Sequence, residues 1–446
     1  MSFRNWVVLV LWVMVSQKVW ANPEYLADEV PAPKSLQDVP NSFRDFRLIP
    51  RLREGRLLRN LIGEHFSGLS PMVREAQVTL EPRLYARYRD EDNGTLRESV
   101  AGGGALRFLS GWLSDKIRVG LTGYTSQALA GDSDRGGTGL VRDDQSGYWA
   151  FGEAYVEAKL GDAFATRLFR QEMDLPYLNR NDSRMTPKSF ESYVFWWKPE
   201  ESLTLAAGHV AKMRDRTEST FISMAEAAGV EDAEDGLSTL GFRWDMRENL
   251  TLGAVNHYSW NTFNTVYTEL RLVDSFGESD WSWKAALQFT DQRSVGDEML
   301  GDFDIQTFGG QLGLGWNSLI ASAAITHTEA GEELRKPFGG TPGFTSLMVS
   351  DFDRPEETAI RVGLSYDFAD LGLDGLSAFA NYAHGDVPQK GRYAGDNQDE
   401  WNVTVDYRPE KTLFKDLWFR VRLGWNERDD QRREEYRFIV NYSRTF

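Results

Sequence analysis

The sequence lacks cysteine, and after its first twenty residues it also lacks any long apolar run. Because none of the 446 residues is cysteine, disulfides, thiolate metal sites and cysteine nucleophiles are excluded. No later segment approaches the ~20 consecutive apolar residues that a membrane-spanning helix needs. A mean hydropathy of -0.47 with 26% charged residues also argues against a bundle of such helices. Basic residues are in the minority, with a formal charge of -17, so nucleic acid is not an expected partner.

Histidine is scarce as well. The 5 histidines are scattered; none of them form a pair at metal-ligand spacing, and no Gly-x-Ser-x-Gly elbow occurs. The nearest candidate for a lipid hydrolase is His257-Tyr258-Ser259, for which a structural role is the favoured interpretation. We therefore predict no catalytic residue, no bound cofactor and no metal site. The acidic runs at 231–235 and 429–430 are interpreted as solvated loop surface rather than as divalent-cation sites near lipopolysaccharide.

The first 74 residues differ from the rest. Residues 1–21 combine a basic start, a short apolar run and the small residue Ala21, which predicts a secretory signal peptide cleaved near that position. Residues 22–74 are rich first in proline and then in arginine. This composition predicts a periplasmic or plug-like extension, with a partly disordered leader as the alternative.

Alternation with a period of two dominates the remaining chain, residues 75–446. In 417–426 the odd positions are all apolar or aromatic, while the even positions include Arg420, Arg422, Gly424 and Asn426. Such a period gives a strand two unlike faces. A soluble sheet core would bury those arginines, whereas a closed sheet with lipid outside and water inside would not. The pattern therefore predicts an all-β fold, a transmembrane antiparallel β-barrel.

The same alternation recurs along the chain, with 360–368 among the clearest examples. At roughly 20 residues per strand and connection, about 16 to 20 strands are expected, which leaves an aqueous lumen. The aromatic content of 13% suits girdles at the two membrane interfaces. Residues 250–260 and 263–272 alternate too weakly to be assigned. Two long connections, 171–189 and 331–357, are predicted to lie on the outer side and to narrow the pore.

Cationic side chains recur at inward positions and are the main functional signal. Barrel closure would place the first and last strands side by side, so their arginines would form one row. Guanidinium groups bind carboxylates, and several weak sites in series allow conduction. Alternatively, each charge simply keeps the lumen hydrated and pairs with Glu81, Glu157 or Asp367. The inward cations are Arg83, Arg87, Arg89, Arg118, Lys159, Arg361, Arg420, Arg422 and Arg437.

These residues resemble a known family, the OprD-like porins or outer-membrane carboxylate channels of Gram-negative bacteria. The likeness covers roughly residues 75–446. It rests on 416–422 and 435–442, on Ser183-Arg184 with Pro187, and on 350–352 with Glu356. It implies an eighteen-stranded barrel, constricted by its third and seventh extracellular loops, that works as a monomer or a weak homotrimer. The implied partners are outer-membrane lipid, lipopolysaccharide and small organic anions as transported solutes.

The resemblance also suggests individual roles. It implies that Arg83, Arg89, Arg420 and Arg422 belong to a lumenal arginine ladder, with Lys159 standing where the family has an arginine. It places Tyr177 and Asp351 in the constriction opposite that ladder. Asn381 departs from the pattern, because a ladder arginine is expected there, and the segment before the first strand is longer than is usual.

The function that we expect is passive diffusion of small carboxylate-bearing solutes through a substrate-specific porin, without enzyme activity. Two alternatives remain at this point. One is a less selective general porin. The other is an outer-membrane hydrolase or adhesin that uses the barrel as a scaffold.

Overall fold

A computed structural model describes residues 68–409, 416–428 and 430–446. The predicted signal peptide, 1–21, and residues 22–67 of the predicted extension lie outside the described residues. A short helix, Pro71–Arg74, precedes the first strand, and the amide of Gly111 donates to the carbonyl of Met72. The sheet begins directly after this helix.

Eighteen long strands form a closed antiparallel barrel, as predicted. They are β1 Gln77–Glu91, β2 Leu96–Leu109, β3 Ile117–Ala130, β4 Tyr148–Lys159, β5 Phe164–Gln171, β6 Ser189–Glu200, β7 Leu203–Arg214, β8 Leu237–Arg247, β9 Leu250–Ser259, β10 Phe263–Ser275, β11 Trp281–Ser294, β12 Asp304–Trp316, β13 Leu319–Thr328, β14 Thr358–Asp367, β15 Leu376–Asp386, β16 Gln398–Tyr407, β17 Leu417–Arg428 and β18 Gln431–Tyr442.

The barrel closes between its first and last strands. Each long strand pairs with its neighbours in sequence, and β1 also pairs with β18, from Arg83 opposite Asn441 to Glu91 opposite Arg433. A two-residue strand, Arg444–Thr445, continues this seam beside the start of β1. Pro82 lies where β1 passes from one partner strand to the other, a place where the missing amide proton removes no regular ladder bond.

Side chains alternate between the two sides of the sheet. In β14, Ile360, Val362 and Leu364 are 48%, 51% and 59% exposed on the outer surface, whereas Arg361 and Ser365 are buried on the lumenal side. The outer surface therefore offers apolar groups to lipid, and the inner surface offers polar groups to water or to the loops.

Stacked aromatic pairs mark both rims of this outer surface. Trp281 and Trp316 stack with ring centroids 5.6 Å apart at one end of the barrel. Tyr88 and Tyr436 stack at 5.9 Å near the other end. Large amphipathic rings favour the membrane interface, so these pairs form the predicted girdles.

The two ends of the barrel differ in the length of their connections. At the end that holds the first and last residues of the sheet, several turns are very short, such as 201–202, 248–249 and 317–318. The opposite end carries the longest connections, and short periplasmic turns with long extracellular loops are typical of outer-membrane barrels. We name four loops of this outer end L2 (131–147), L3 (172–188), L4 (215–236) and L7 (329–357).

The loops contain little regular structure. They include the two-residue strands Asp174–Leu175, Leu178–Asn179 and Ile222–Ser223, the helix Met224–Ala227 and the 3-10 turn Ser133–Arg135. A second 3-10 turn, Phe368–Leu371, lies at the opposite end. Among the described residues, no helix is long and apolar enough to cross a membrane.

A matched pair of substitutions in β15 tests the assignment of its two faces. Ala380 lies opposite the outward Leu364, and its neighbour Asn381 faces the lumen opposite Gly363. We expect Ala380→Arg to lower the free energy of unfolding by about 2–4 kcal/mol, because it places a charge in the acyl region. Asn381→Arg is expected to have a much smaller effect. Urea unfolding in lipid vesicles measures both, and equal losses would contradict the assignment.

Candidate functional site: a loop-constricted lumen with an arginine wall

Loop L3 crosses the lumen and is attached on both sides. On one side the Arg83 guanidinium contacts the Asp182 carboxylate at 2.7 Å. On the other, the ring Nε2 of His257 in β9 lies 2.8 Å from the carbonyl oxygen of Pro176, and the hydroxyls of Tyr177 and Thr290 are 2.9 Å apart. Burial raises the pKa of Tyr177 to about 12, so its hydroxyl keeps its proton at neutral pH.

An apolar patch on the inner wall provides the seat for L3. Val255, Phe263 and Tyr267 face inward from β9 and β10 and pack in one cluster with Leu175 and Leu178 of the loop. Burying these groups against each other stabilises the folded position of the loop. The patch also explains why residues 250–260 and 263–272 alternate weakly in sequence: both faces of these strands carry apolar groups.

Loop L7 is held against strand β16 by the carboxylate of Glu400. The side chain of Glu400 in β16 accepts hydrogen bonds from three successive amides, those of Met348, Val349 and Ser350, at 2.8, 2.9 and 2.8 Å. Successive amides that converge in this way form an anion-binding concavity. Because Glu400 is buried, this contact fixes the tip of L7 inside the barrel.

The two loops also contact each other. The side-chain amide of Asn179 donates to the carbonyl of Gly340 at 3.0 Å, and the Gly340 amide donates back to the side-chain oxygen of Asn179 at 2.9 Å. The ammonium group of Lys188 donates to the carbonyl of Pro337 at 2.9 Å. L3 and L7 therefore constrict the lumen as one connected unit.

Six arginines face this constriction from three adjacent strands, and we call this set the arginine wall. In register, Arg422, Arg437 and Arg87 are direct neighbours across β17, β18 and β1. Arg89 stands two residues further out, and Arg420 and Arg83 stand on rows nearer the periplasm. Successive rows are about 6.8 Å apart along the strands. The members of the wall are Arg83, Arg87, Arg89, Arg420, Arg422 and Arg437.

Carboxylates inside the barrel contact this wall. Arg420 and Asp406 form a bidentate pair at 2.6 and 2.7 Å, with side chains only 1% and 2% exposed. Glu435 contacts three wall arginines, Arg87, Arg89 and Arg437. These pairings hold the guanidiniums at fixed positions.

The other residues predicted for the site lie away from the wall. Lys159 is at the periplasmic end of β4, with its ammonium group 4.1 Å from the ring centre of Trp112. Arg361 in β14 is buried, and no carboxylate of the described residues lies within ion-pair distance of it. Arg118 pairs with Glu157 at 2.9 Å, which matches the alternative that some inward cations pair with inward carboxylates of the barrel.

Tyr177 and Asp351 lie in L3 and L7, respectively. Asp351 contacts Lys336 at 2.9 Å, and Lys336 contacts Asp353 at 2.6 Å. Burial alone would lower the pKa of Lys336, but the two carboxylates hold it above its usual range. Burial raises the pKa of Asp353 to about 6, against the opposing effect of Lys336. This cluster stiffens L7 from within.

The structure also brings residues to the site that the sequence did not indicate. Arg184 of L3 is near Arg87 and Arg437, and burial together with these like charges holds its pKa well below the usual range. At the periplasmic end, the Trp418 ring has the guanidinium of Arg408 at 4.1 Å and that of Arg420 at 4.5 Å. Inward parity alone identifies Trp418, but the loop path that brings Arg184 to the wall has no sequence signal.

The hydrolase candidate lies on the wrong side of the sheet. His257 and Ser259 are 3% and 0% exposed and face the lumen. The ring of His257 is engaged by Pro176 and by the hydroxyl of Thr239 at 3.0 Å. An enzyme that acts on membrane lipid needs such a pair on the outer surface, so this motif has a structural role in seating L3.

Comparison with known proteins gives one family. Residues 72–446 match the family model described as outer membrane porin, OprD family, and no curated protein sequence matches the chain. The structure is similar to OccK9 (OpdG) of Pseudomonas aeruginosa, with a TM-score of 0.78 and 23% identity over 84% of this chain and 100% of that one. OpdK of the same organism, solved with vanillate, has a TM-score of 0.77 and 20% identity, and the match covers 84% of this chain and 100% of that one. A BenF-like porin of Pseudomonas fluorescens has a TM-score of 0.76 and 20% identity, with the same coverage of each chain.

The buried pair of Arg420 and Asp406 yields a stability prediction. Arg420→Ala removes the bidentate partner of the buried Asp406 carboxylate, and we expect it to lower the free energy of unfolding by about 3–5 kcal/mol. The double variant Arg420→Ala with Asp406→Ala should recover part of this loss. Urea unfolding measures both variants, and no recovery in the double variant would show that the pair is not the source of the effect.

The position of L7 can be tested with a cysteine pair, because the chain has 0 native cysteines. A side chain at Gly424 in β17 would point at Met348 and Val349 of L7. We expect Val349→Cys with Gly424→Cys to form a disulfide under mild oxidation, detected by mass spectrometry of the peptides, because the two positions are close enough for a bridge. The pair Val349→Cys with Leu423→Cys, whose second position faces outward, is the matched control. Equal bridging in both pairs would contradict the docked position of L7.

Proposed function

Because the chain belongs to the OprD family of outer membrane porins, we propose that it is a substrate-specific channel that passes small carboxylate-bearing organic solutes by passive diffusion. The family places the protein in the outer membrane of a Gram-negative bacterium. The observation that carries the proposal is the arginine wall, six arginines on three adjacent strands, of which Arg83 contacts L3 and Arg437 contacts L7.

The chemistry of the wall matches a carboxylate. A guanidinium remains charged at any physiological pH and offers two parallel N–H groups to the two oxygens of a carboxylate. The wall has four rows from the outer to the periplasmic side. The outermost row holds Arg89, and the next holds Arg87, Arg437 and Arg422. Arg420 and then Arg83 form the last two rows. Adjacent rows are about 6.8 Å apart, so a solute that leaves the partly exposed Arg89 is within reach of the partly exposed Arg422, while the buried Arg420–Asp406 pair supports the wall.

The constriction formed by L3 and L7 favours a substrate-specific channel over a general porin. L3 and L7 extend into the lumen from opposite walls and bond to each other at Asn179 and Gly340. A solute passing this constriction must exchange water for protein contacts, so its chemistry affects its rate. In our proposal, Asp351 of L7 contacts the part of the solute that does not carry the carboxylate, and the buried Tyr177 shapes the constriction by holding L3 against Thr290.

One solved relative supports the class of solute. OpdK was crystallised with vanillate, an aromatic compound with one carboxylate. We propose the same general class, small organic anions, for this chain. Lys159 and Arg361, which lie on other parts of the inner wall, are proposed to contribute to the positive potential of the lumen rather than to the row itself.

The remaining assignments follow from this function. Residues 1–21 are proposed to direct export and to be removed, and residues 22–74 to form a periplasmic or plug-like extension of the barrel. We propose that the protein is a channel without enzyme activity or a bound cofactor, and that it works as a monomer or a weak homotrimer.

The wall predicts a selective transport defect. Arg89 and Arg422 are partly exposed to the lumen. Replacing them should leave no buried charge unpaired, because Glu435, the buried partner of Arg89, keeps its contacts with Arg87 and Arg437. We expect Arg89→Gln with Arg422→Gln to slow the uptake of succinate into proteoliposomes roughly fivefold, because two carboxylate-binding groups are lost, and to leave glycerol uptake nearly unchanged.

The matched control is Arg432→Gln, an arginine whose side chain is 58% exposed at the outer rim of β18. It should behave as the wild type with both solutes. If the double variant slows glycerol as much as succinate, the wall has no role in recognising carboxylates and the proposal fails.

A further inference from the structure

Glu435 occupies an unusual place in the arginine wall, because a single buried carboxylate serves three guanidiniums. Its side chain is 0% exposed and contacts the Nε atoms of Arg87 and Arg437 at 2.8 and 2.6 Å and Nη2 of Arg89 at 2.6 Å. A second bond joins Nη2 of Arg87 to the other carboxylate oxygen at 2.9 Å. Both oxygens of Glu435 are therefore engaged.

The other ends of two of these arginines bind the loops. Arg87 donates to the carbonyl of Thr138 in L2, and Arg437 donates to the carbonyl of Met348 in L7 at 3.1 Å. Of the three arginines, Arg89 has the most accessible side chain, at 19% exposed against 4% for each of the other two. Arg89 is thus the member of the cluster that a solute meets first.

We propose that Glu435 is a positioning residue that substitutes for the solute carboxylate when the channel is empty. It holds three guanidiniums in place and competes with the passing solute for them. This inference rests on the proposed function and adds a mechanism of release to it. A solute carboxylate replaces Glu435 as the acceptor of a hydrogen bond from Arg89 or Arg437. Glu435 accepts that hydrogen bond again when the solute moves on.

The physical reason lies in the opposing demands of selectivity and flux. Conduction requires each site to bind strongly enough to admit the solute and weakly enough to let it leave. Three guanidiniums without an internal partner would hold a carboxylate through several charge-assisted bonds. An internal carboxylate reduces this attraction without removing the donors, so a cluster of three arginines acts as a weak site.

The Arg420–Asp406 pair lacks this arrangement. There the Arg420 guanidinium binds the Asp406 carboxylate in a bidentate bond, and both side chains are almost completely buried. Such a pair has a mainly structural role, whereas Glu435 is shared among groups that differ in exposure. The substitution of Glu435 should therefore change ion selectivity and solute residence, which a purely structural role would not.

The test is Glu435→Gln, which removes the charge and keeps the shape of the side chain. In planar bilayers with a KCl gradient, we expect the chloride-to-potassium permeability ratio to rise about threefold or more, because one negative charge leaves the wall. Current blocks caused by succinate should last about tenfold longer, because release slows when the internal competitor is absent. Glu435→Asp, which keeps the charge, should restore most of the permeability ratio.

Glu434→Gln is the matched control. Glu434 is the preceding residue and faces outward, where it accepts a hydrogen bond from the Tyr436 hydroxyl at 2.5 Å. Glu434→Gln should leave the permeability ratio and the duration of the succinate blocks unchanged. An unchanged permeability ratio in Glu435→Gln, or an equal change in the control, would overturn the proposal.

A second pair of variants and the KCl measurement distinguish a folding defect, a failure of the proposed function and a failure of the role of Glu435. If Glu435→Gln does not insert as a folded barrel, Arg87→Gln is compared with Arg87→Gln plus Glu435→Gln, and the same rise in permeability ratio is expected between them. The KCl measurement needs no organic solute, so it tests Glu435 even if the wild-type channel fails to distinguish succinate from glycerol. In that event the proposed function fails, while the effect of Glu435 on ion selectivity stands or falls on its own result.

Discussion

The site depends on the closure of the sheet. In the acyl region no water is present to satisfy free amide and carbonyl groups, so a membrane-spanning sheet cannot leave an edge strand unpaired. Pairing β1 with β18 meets this requirement and sets Arg87 directly opposite Arg437, residues from the two ends of the sequence. The arginine wall spans this seam. Its composition is therefore decided by the two ends of the chain, and its geometry by the hydrogen bonds that close the barrel.

Closure alone would leave a wide lumen, and the loops L3 and L7 narrow it. L3 is seated by apolar groups such as Val255 and Tyr267 on one wall and by the Asp182–Arg83 pair on the other. L7 is fixed by the amides that bind Glu400. Each of these contacts uses an inward position that a plain water-filled barrel would leave to solvent. In the proposed function this loss of lumen volume is the source of discrimination, because it brings a passing solute into contact with the loops.

The sequence predicted the barrel and the inward position of all six arginines of the wall, because alternation and closure require no knowledge of side-chain contacts. Residues 417–426 show which face is inward, and the pairing of the first and last strands follows from topology. The partners of the arginines were predicted less well. Glu157 does pair with Arg118, but the carboxylates at the wall are Glu435, Asp406 and Asp182. Choosing among them needs the register between strands and the path of L3, which periodicity does not contain. The same limit applies to β9 and β10, whose inward apolar groups serve the loops and obscure the alternation.

The departure at Asn381 shows how charge is distributed around the lumen. Its side-chain amide donates to Asn402 at 3.2 Å, and Thr404 on the same strand as Asn402 is near Arg422 at 3.3 Å. Neutral polar groups, Asn402 and Thr404, therefore lie on β16 beside Gly424 and Arg422, between the inward carboxylates Glu400 and Asp406 of the same strand. In the proposed function, a carboxylate in the constriction meets guanidiniums on one side, with the uncharged side chains of Asn402 and Thr404 beside them. On that proposal the contrast orients the solute, since only its anionic end gains from the wall and its remaining atoms are left to face L3 and L7.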